Sequence, residues 1–345
     1  MKHFKKKSLL SLVPRISPLV SMFDWRPTAS PETLRLRARL LARVREFFAR
    51  RNVLEVETPV LASAAATDPN LDSLSTQYSG PGERLLYLHT SPEFFMKRLL
   101  AAGSGDIFQI CKVFRDREAG RRHNPEFTLL EWYRIGFDHL RIMDEVAVLL
   151  AYVLDGMIPL AESEKLTYSE MFQQYCGIDP HAANTNALAE CARRHGADAP
   201  QGLSLKDIDG WRDLILTHVI EPQLGRGRLT LVYDYPASQA ALSRVRPGPP
   251  PLAERFEAYC NGIELANGFH ELSDPAEQRR RFERDLTMRR TLKRPGVPID
   301  TGFIAALHQG LPDCAGVALG IDRLVMLAAG ARSLADVISF SVDRI

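Results

Sequence analysis

The chain lacks the features that announce several common protein classes. Its five cysteines, Cys111, Cys176, Cys191, Cys260 and Cys314, are scattered through 345 residues, and no two form a CxxC pair. That argues against a zinc ribbon and against a disulfide framework, and it fits a reducing compartment such as the cytoplasm. No segment reaches the ~18 to 20 consecutive apolar residues that a membrane-spanning helix requires, so no membrane partner is expected. There is no low-complexity tract and no internal repeat. Neither sign of charge dominates: 44 Lys and Arg against 42 Asp and Glu leave a formal net charge of +2. Total charge therefore gives no reason to expect nucleic acid. What remains is an ordinary globular composition, 45% hydrophobic and 25% charged, long enough for one large domain or for one large and one small.

The first residues, "MKHFKKKSLLSLVPRISPLVSM", superficially resemble a secretory signal. Pro14, Arg15 and Pro18 break the apolar run, and no small-x-small cleavage site follows. Residues 1–21 read as a disordered extension or as an overlong gene start with Met22 as the initiator. Residues 1–30 are assigned to this extension and 31–345 to a single catalytic-type domain.

Ser30-Pro31-Glu32 is a helix-start signal, and Leu36, Leu40, Val44 and Phe47 recur at helical spacing, which predicts a helix over 31–51. Strands are expected at "VLEVETP" (53–59) and "LLYLHT" (85–90). Ser91-Pro92-Glu93 repeats the capping pattern ahead of a second helix. "IFQICKVF" and "FTLLEWYRIGF" then read as two strands around a polar loop. Residues 138–225 read as a helical insertion. "RLTLVYDYP" resumes the strands, "RFEAYCNGIELANGFHEL" (255–272) reads as a hairpin, and "GVALGIDRLVMLAAG" as strand, glycine and helix. Strands that arrive as hairpins flanked by helices predict an α+β fold with an antiparallel sheet.

Three stretches carry chemistry. In "CKVFRDREAGRRHNPEFTLLEWYR", Phe127, Leu129, Glu131 and Tyr133 share a strand face, and a carboxylate among aromatics needs a cation. Arg115, Arg117, Arg121, Arg122 and His123 gather at the loop, suited either to phosphate oxygens or to a solvated turn. In the hairpin, Asn261-Gly262 signals a two-residue type I′ turn. That register sets Glu264 opposite Tyr259 and makes Glu257 its diagonal neighbour, roughly 7–8 Å away at the backbone. The two carboxylates could grip one Mg²⁺ or could simply be exposed. Asn267, Phe269 and Glu271 would face away from Glu264 unless a bulge near Gly268 re-aims them. In "GVALGIDRLVML", Gly316 and Gly320 permit close backbone approach, and Arg323 sits on the first turn of the following helix, where anions are favoured.

Taken together, "FRDRE…RRHNPEFT", "ELANGFHEL" and "GVALGIDRLVML" resemble the second motif, the substrate strand and the third motif of class II aminoacyl-tRNA synthetases. "FFARRNVLEVETPVL" resembles their first motif, whose proline lies at a dimer interface, so the resemblance implies a homodimer. The match is greatest to lysyl-tRNA synthetases and runs from about Arg35 to the C-terminus. Only about 34 residues precede the first motif, too few for an OB-fold anticodon-binding domain of ~100 residues. The chain therefore looks like the truncated lysyl-tRNA synthetase paralogues that ligate lysine, in the (R)-β isomer, onto elongation factor P, with no tRNA partner. A minimal tRNA-charging enzyme and a catalytically impaired regulatory paralogue are the alternatives.

The resemblance implies ATP as a substrate and Mg²⁺ as its metal. Arg115 would hold the α-phosphate and Arg323 the γ-phosphate, these two acting as the catalytic pair. His123 and Asn124 would contact the nucleotide, Phe127 would stack on adenine, and Gly320 would let ATP approach the backbone. Asp116, Arg117, Glu264 and Leu265 would line the same site, and Glu257 and Glu264 would bind Mg²⁺. Ser91, Glu93, Glu131, Tyr133, Asn267, Glu271 and Ala318 would line the amino-acid pocket. Two departures stand out. The usual FRNE reads FRDR here, so Arg117 replaces a glutamate that Glu118 could supply. Ala318 stands where lysyl-tRNA synthetases carry glycine, and its methyl reshapes the pocket wall.

Overall fold

The computed structural model describes residues 25–345; the expectations for residues 1–21 lie outside them. Helix α1 (Pro31–Ala49) starts as its sequence requires, with Ser30 Oγ accepting a hydrogen bond from the Thr33 amide and proline at the first turn. The strands are β1 (Leu54–Glu55), β2 (Leu61–Ala62), β3 (Ser75–Tyr78), β4 (Arg84–Leu88), β5 (Ile107–Phe114), β6 (Glu126–Ile135), β7 (Glu164–Thr167), β8 (Thr230–Pro236), β9 (Val245–Arg246), β10 (Leu252–Cys260), β11 (Ile263–His270) and β12 (Cys314–Gly320). The remaining helices are α2 (Glu93–Ala101), α3 (His139–Leu154), α4 (Tyr168–Cys176), α5 (Thr185–Arg194), α6 (Ile208–Ile215), α7 (Pro275–Thr291), α8 (Thr301–Gln309) and α9 (Ile321–Ala329).

The main sheet runs β1-β5-β6-β12-β11-β10-β8-β7, with β9 joined to β10, and β2-β4-β3 form a small second sheet. The central strands pair antiparallel, as expected for the α+β class. The two outer pairs, β1–β5 and β7–β8, are parallel. "VLEVETP" yields only the two residues of β1, although Val56 still donates to the Phe108 carbonyl and Thr58 Oγ1 to Gln109 Oε1, each at 2.9 Å. The 138–225 stretch is also not purely helical. It contains β7, and its first helix, α3, packs into the main core beneath the sheet. The helices α4 to α6 build a second apolar cluster against β8 and β10.

Alternation along the central strands divides the sheet into two faces. Leu130 and Trp132 on β6, Ala315, Val317 and Leu319 on β12, and Phe256 and Ala258 on β10 all point into the core shared with α1, α3 and α9. Their neighbours one residue along point to the other, front face. The pairing aligns Gln109, Glu131, Ala318, Asn267 and Glu257 in one row across five strands of that face.

One buried polar node fixes the end of β12 against this sheet. Asp322, 2% exposed, accepts from the Thr128 amide at 2.7 Å and from the Arg37 guanidinium, which also donates to Thr128 Oγ1 at 2.8 Å. Helices α1 and α9 and strand β6 thus meet at one carboxylate. Asp322→Ala would leave Arg37 uncompensated and is expected to lower unfolding free energy by about 3 kcal/mol, measurable as a shifted urea midpoint with unchanged m-value.

Candidate functional site

The front face opens as a cleft over β6, β11 and β12. Its rim and walls include Arg115, Arg122, His123, Phe127, Glu264 and Arg323, and its floor Leu265, Asn267, Ala318 and Gly320. The loop between β5 and β6 brings the basic residues there because it is tied at several points. Arg122 donates to the Gly262 carbonyl at 2.8 Å, at the tip of the β10–β11 turn, and pairs with Glu221 at 3.2 Å. Asn124 donates to the Glu126 carbonyl at 2.7 Å and accepts from the Val342 amide at 3.0 Å. Its side chain lines the cleft, but both ends of its amide already have protein partners.

Arg115 lies over the Phe127 ring at 5.0 Å and 3.6 Å from Glu118. Its Nε is buried and unpartnered, an unmet donor on a residue that lines the cleft. Arg323 donates to the Glu264 carbonyl at 2.9 Å and carboxylate at 3.2 Å, and meets His123 Nε2 at 3.1 Å. A guanidinium can only donate, so His123 Nε2 accepts. Burial and the Arg323 charge both hold His123 below the ordinary histidine range, in its neutral form.

Asp116 and Arg117, expected beside the nucleotide, are not among the residues that line this cleft. Arg117 has a left-handed backbone (φ 65°) and points 3.7 Å from Asp72, a carboxylate that also holds Arg289 and Arg294. Glu118, one residue later, takes the place in the cleft.

The hairpin answers the question of the facing residues. Asn261 and Gly262 both have positive φ, 48° and 67°, as a type I′ turn requires, and Tyr259 pairs with Glu264. The next pair is Ala258 with Ala266, so Leu265 is an extra residue on β11. This bulge sits three residues before Gly268, where it was expected. It shifts the alternation so that Asn267 pairs with Glu257 on the same face as Glu264. Glu257 is closely held: one oxygen accepts from Arg255, the other from Tyr259 and, at 2.7 Å, from Tyr235. Burial and the neighbouring Glu257 push Glu264 upward. Glu221, which sequence reasoning missed, is pushed up to about 7 by burial and by Glu264. Its only sequence signal was a lone Glu-Pro at a helix end.

Deeper along the same face lies a second group of charges. Glu131, 2% exposed, accepts from Ser91 Oγ and from the Tyr133 hydroxyl, each at 2.7 Å. Ser91 also accepts from the Glu93 amide at 3.1 Å, while Pro92 occupies the N-cap position expected for Ser91. Lys97, fully buried, sits between Glu93 at 2.5 Å and Glu271 at 2.6 Å. Sequence reasoning missed Lys97 too, although Glu93 and Lys97 are spaced i,i+4 on one helix, a pairing signal. Burial alone would lower Lys97, but Glu271 and Glu93 outweigh it and hold the ammonium charged. Burial and Glu93 push Glu131 up to about 7, and burial pushes Glu271 upward against the pull of Lys97. Gly316 makes this packing possible, because an added Cβ would collide with the Tyr133 ring and Glu271 Oε1. At Gly320, by contrast, a Cβ would meet only the Arg323 side chain at 3.6 Å.

Three carboxylates and one ammonium leave a pocket two negative charges in excess when all are ionised. A ligand with two ammonium groups satisfies that excess. Glu131 would answer such a ligand as the anion, which forms as pH rises through about 7. Lysine affinity, measured calorimetrically, is therefore expected to weaken as pH falls from 8 to 6, about tenfold per unit once Glu131 is mostly protonated. A flat profile would mean that Glu131 stays ionised throughout. Gly316→Ala is expected to weaken lysine binding by about 2 kcal/mol, roughly thirtyfold, through displacement of Tyr133 and Glu271; unaltered affinity would show that the pocket adapts.

The family model described as tRNA synthetases class II (D, K and N) matches residues 19–344. An elongation factor P--(R)-beta-lysine ligase of Haemophilus influenzae (strain PittGG) is 50% identical over 328 residues, covering 94% of this chain and 99% of that protein. Proteins of the same name from Haemophilus ducreyi and Salmonella dublin are 46% and 50% identical, each with 98% of its length covered, against 94% and 93% of this chain. The chain belongs to the class II (D, K and N) tRNA synthetase family, in its branch of elongation factor P--(R)-beta-lysine ligases.

Proposed function

We propose that this ligase activates lysine, in its (R)-β isomer, with ATP and transfers it to a lysine side chain of elongation factor P. The observation that carries the reading is the pocket of Glu93, Glu131 and Glu271 around Lys97. Its two excess negative charges match two ammonium groups, and it adjoins a cleft rimmed by Arg115 and Arg323. The names of the near-full-length relatives support the isomer and the protein acceptor.

In this reading the ammonium groups lie against the glutamates, and the substrate carboxylate is directed toward the basic cleft. That carboxylate attacks the α-phosphate in line, and pyrophosphate leaves. Arg115, through its unpartnered Nε, and Arg323 offset the charge that develops on the phosphates. Neutral His123 keeps the Arg323 guanidinium oriented. The acyl-adenylate is then attacked by the acceptor's ε-amine, which loses a proton as the amide forms and AMP departs. An amine with an unperturbed pKa of ~10.4 needs positioning and local charge to react, and no side chain stands out as its base.

Glu257 and Glu264 are hard oxygen donors on one face, and the raised Glu264 marks negative charge that the protein only partly compensates. That donor set fits Mg²⁺, which would supply charge neutralisation at the phosphates. Glu264, less encumbered than Glu257, would be its main protein ligand.

Arg117 gave the sequence its reason for an impaired, regulatory paralogue; its contact with Asp72 at 3.7 Å, away from the cleft lining, supports the active reading instead. A homodimer is supported by exposed apolar residues around the first motif, Leu54, Val60, Leu61 and Leu85. Among the described residues no helix is long and apolar enough to cross a membrane, and the free, scattered cysteines favour the cytoplasm. Incubating elongation factor P with this protein, ATP and either lysine isomer tests the assignment by mass spectrometry. The expected result is a gain of one lysyl unit with release of AMP, greater with (R)-β-lysine. An unchanged mass with both isomers, or preferential charging of tRNA, would overturn it.

A further inference from the structure

The back face of the sheet carries a second cluster of ionisable groups, separated from the cleft by the sheet itself. His139 opens α3, which crosses behind β10, β11 and β12. Glu254 lies on β10 and His270 ends β11. Ligand atoms of these three side chains all lie within 4.8 Å of one another.

The arrangement has two layers. In the inner one, His270 Nδ1 faces Glu254 Oε2 at 2.6 Å, and His139 Nε2 lies 3.5 Å from Asp234 Oδ1. His139 is 3% exposed, yet its Nδ1 makes no hydrogen bond, and its Nε2 and Asp234 Oδ1 have only their long 3.5 Å contact with each other. Burying an imidazole and a carboxylate oxygen unsatisfied is costly, and such groups call for an occupant. In the outer layer, Asp313 Oδ1 faces His270 Nε2 at 3.0 Å, and Arg244 holds Asp313 at 2.6 Å. Arg246 holds the outer oxygens of Asp234 at 2.7 Å and Glu254 at 3.8 Å. One guanidinium thus serves two carboxylates whose inner oxygens face histidines. A carboxylate orienting the far nitrogen of a histidine is the usual support behind a metal ligand.

We propose that His139, Glu254 and His270, with Asp234 beside them, form a binding site for a divalent transition metal, zinc first, behind the catalytic sheet. Two imidazoles and carboxylate oxygens suit zinc, and bonds of about 2.0–2.2 Å place its ligand atoms roughly 3.3 Å apart. Side-chain shifts of an ångström or so close the present spacing. The metal takes the place of the proton on His270 Nδ1, which is released to solvent. Its charge offsets the excess carboxylate between Asp234 and Glu254. The site clamps the start of α3 to the hairpin that carries Glu257, Glu264 and Asn267 on its other face. His270 is also directly followed by Glu271 of the amino-acid pocket.

The full chain, stripped with chelator, is titrated with zinc and with cobalt(II), and binding is followed by calorimetry, cobalt absorption and thermal unfolding. The proposal expects one equivalent bound, weak cobalt d–d bands without thiolate charge transfer, and a higher Tm. His139→Ala should abolish binding. Asp313→Asn, at the exposed rim, should weaken it about tenfold or more while leaving the fold intact, which keeps the test decisive if the buried variant fails to fold. Failure of the wild-type chain to bind either metal would overturn the proposal, as would binding unaffected by both substitutions. So would thiolate-to-cobalt bands, which would place the metal at Cys176, Cys191 and His195.

Discussion

Burying charge without stranding it is the constraint that organises the front of this molecule. An unpaired ion in a protein interior costs several kcal/mol, so each buried charge must be answered by another or by directed donors. Lys97 answers Glu93 and Glu271, while Ser91 and Tyr133 answer Glu131 with hydroxyls. Hydroxyls stabilise without neutralising, so the pocket is ordered before a ligand arrives and still electrostatically incomplete. Around it, Gly316 surrenders its side chain so that Tyr133 and Glu271 can pack against bare backbone.

The sheet turns that local chemistry into a continuous surface. Because cross-strand partners share a face, one register row carries Glu131, Ala318, Asn267 and Glu257 from the pocket around Lys97 to the carboxylates by the basic cleft. Only the extra residue at Leu265 lets Glu264 and Asn267 belong to one surface. Without it, the two ends of β11 would serve opposite sides of the sheet.

Much of this was legible in the sequence, and for physical reasons. The Asn261-Gly262 turn fixes its own register, so the opposition of Glu264 and Tyr259 follows from local geometry. β5 follows its hydrophobic run residue for residue. Other features were not legible because they depend on partners far away in the chain. Lys97 gains its meaning from Glu271, and Glu221 from Arg122 and Glu264. Arg117 is a loop cation until Asp72 draws it aside, and Asn124 looks available until the Val342 amide takes its oxygen. The bulge was one of two alternatives the alternation left open, and it lies at Leu265 rather than near Gly268, because alternation does not show where the backbone slips most easily.

The bond between Val342 and Asn124 has a counterpart in the Leu334 amide, which donates to the Arg121 carbonyl at 2.9 Å. The phosphate-side loop is therefore moored twice to the last dozen residues of the chain. That segment works as a brace for the arginine loop, and anything pulling on it, whether a fused tag, a clipped end or a docking partner, is felt at Arg115 and His123. A surface far from the cleft thereby acquires leverage over its basic rim.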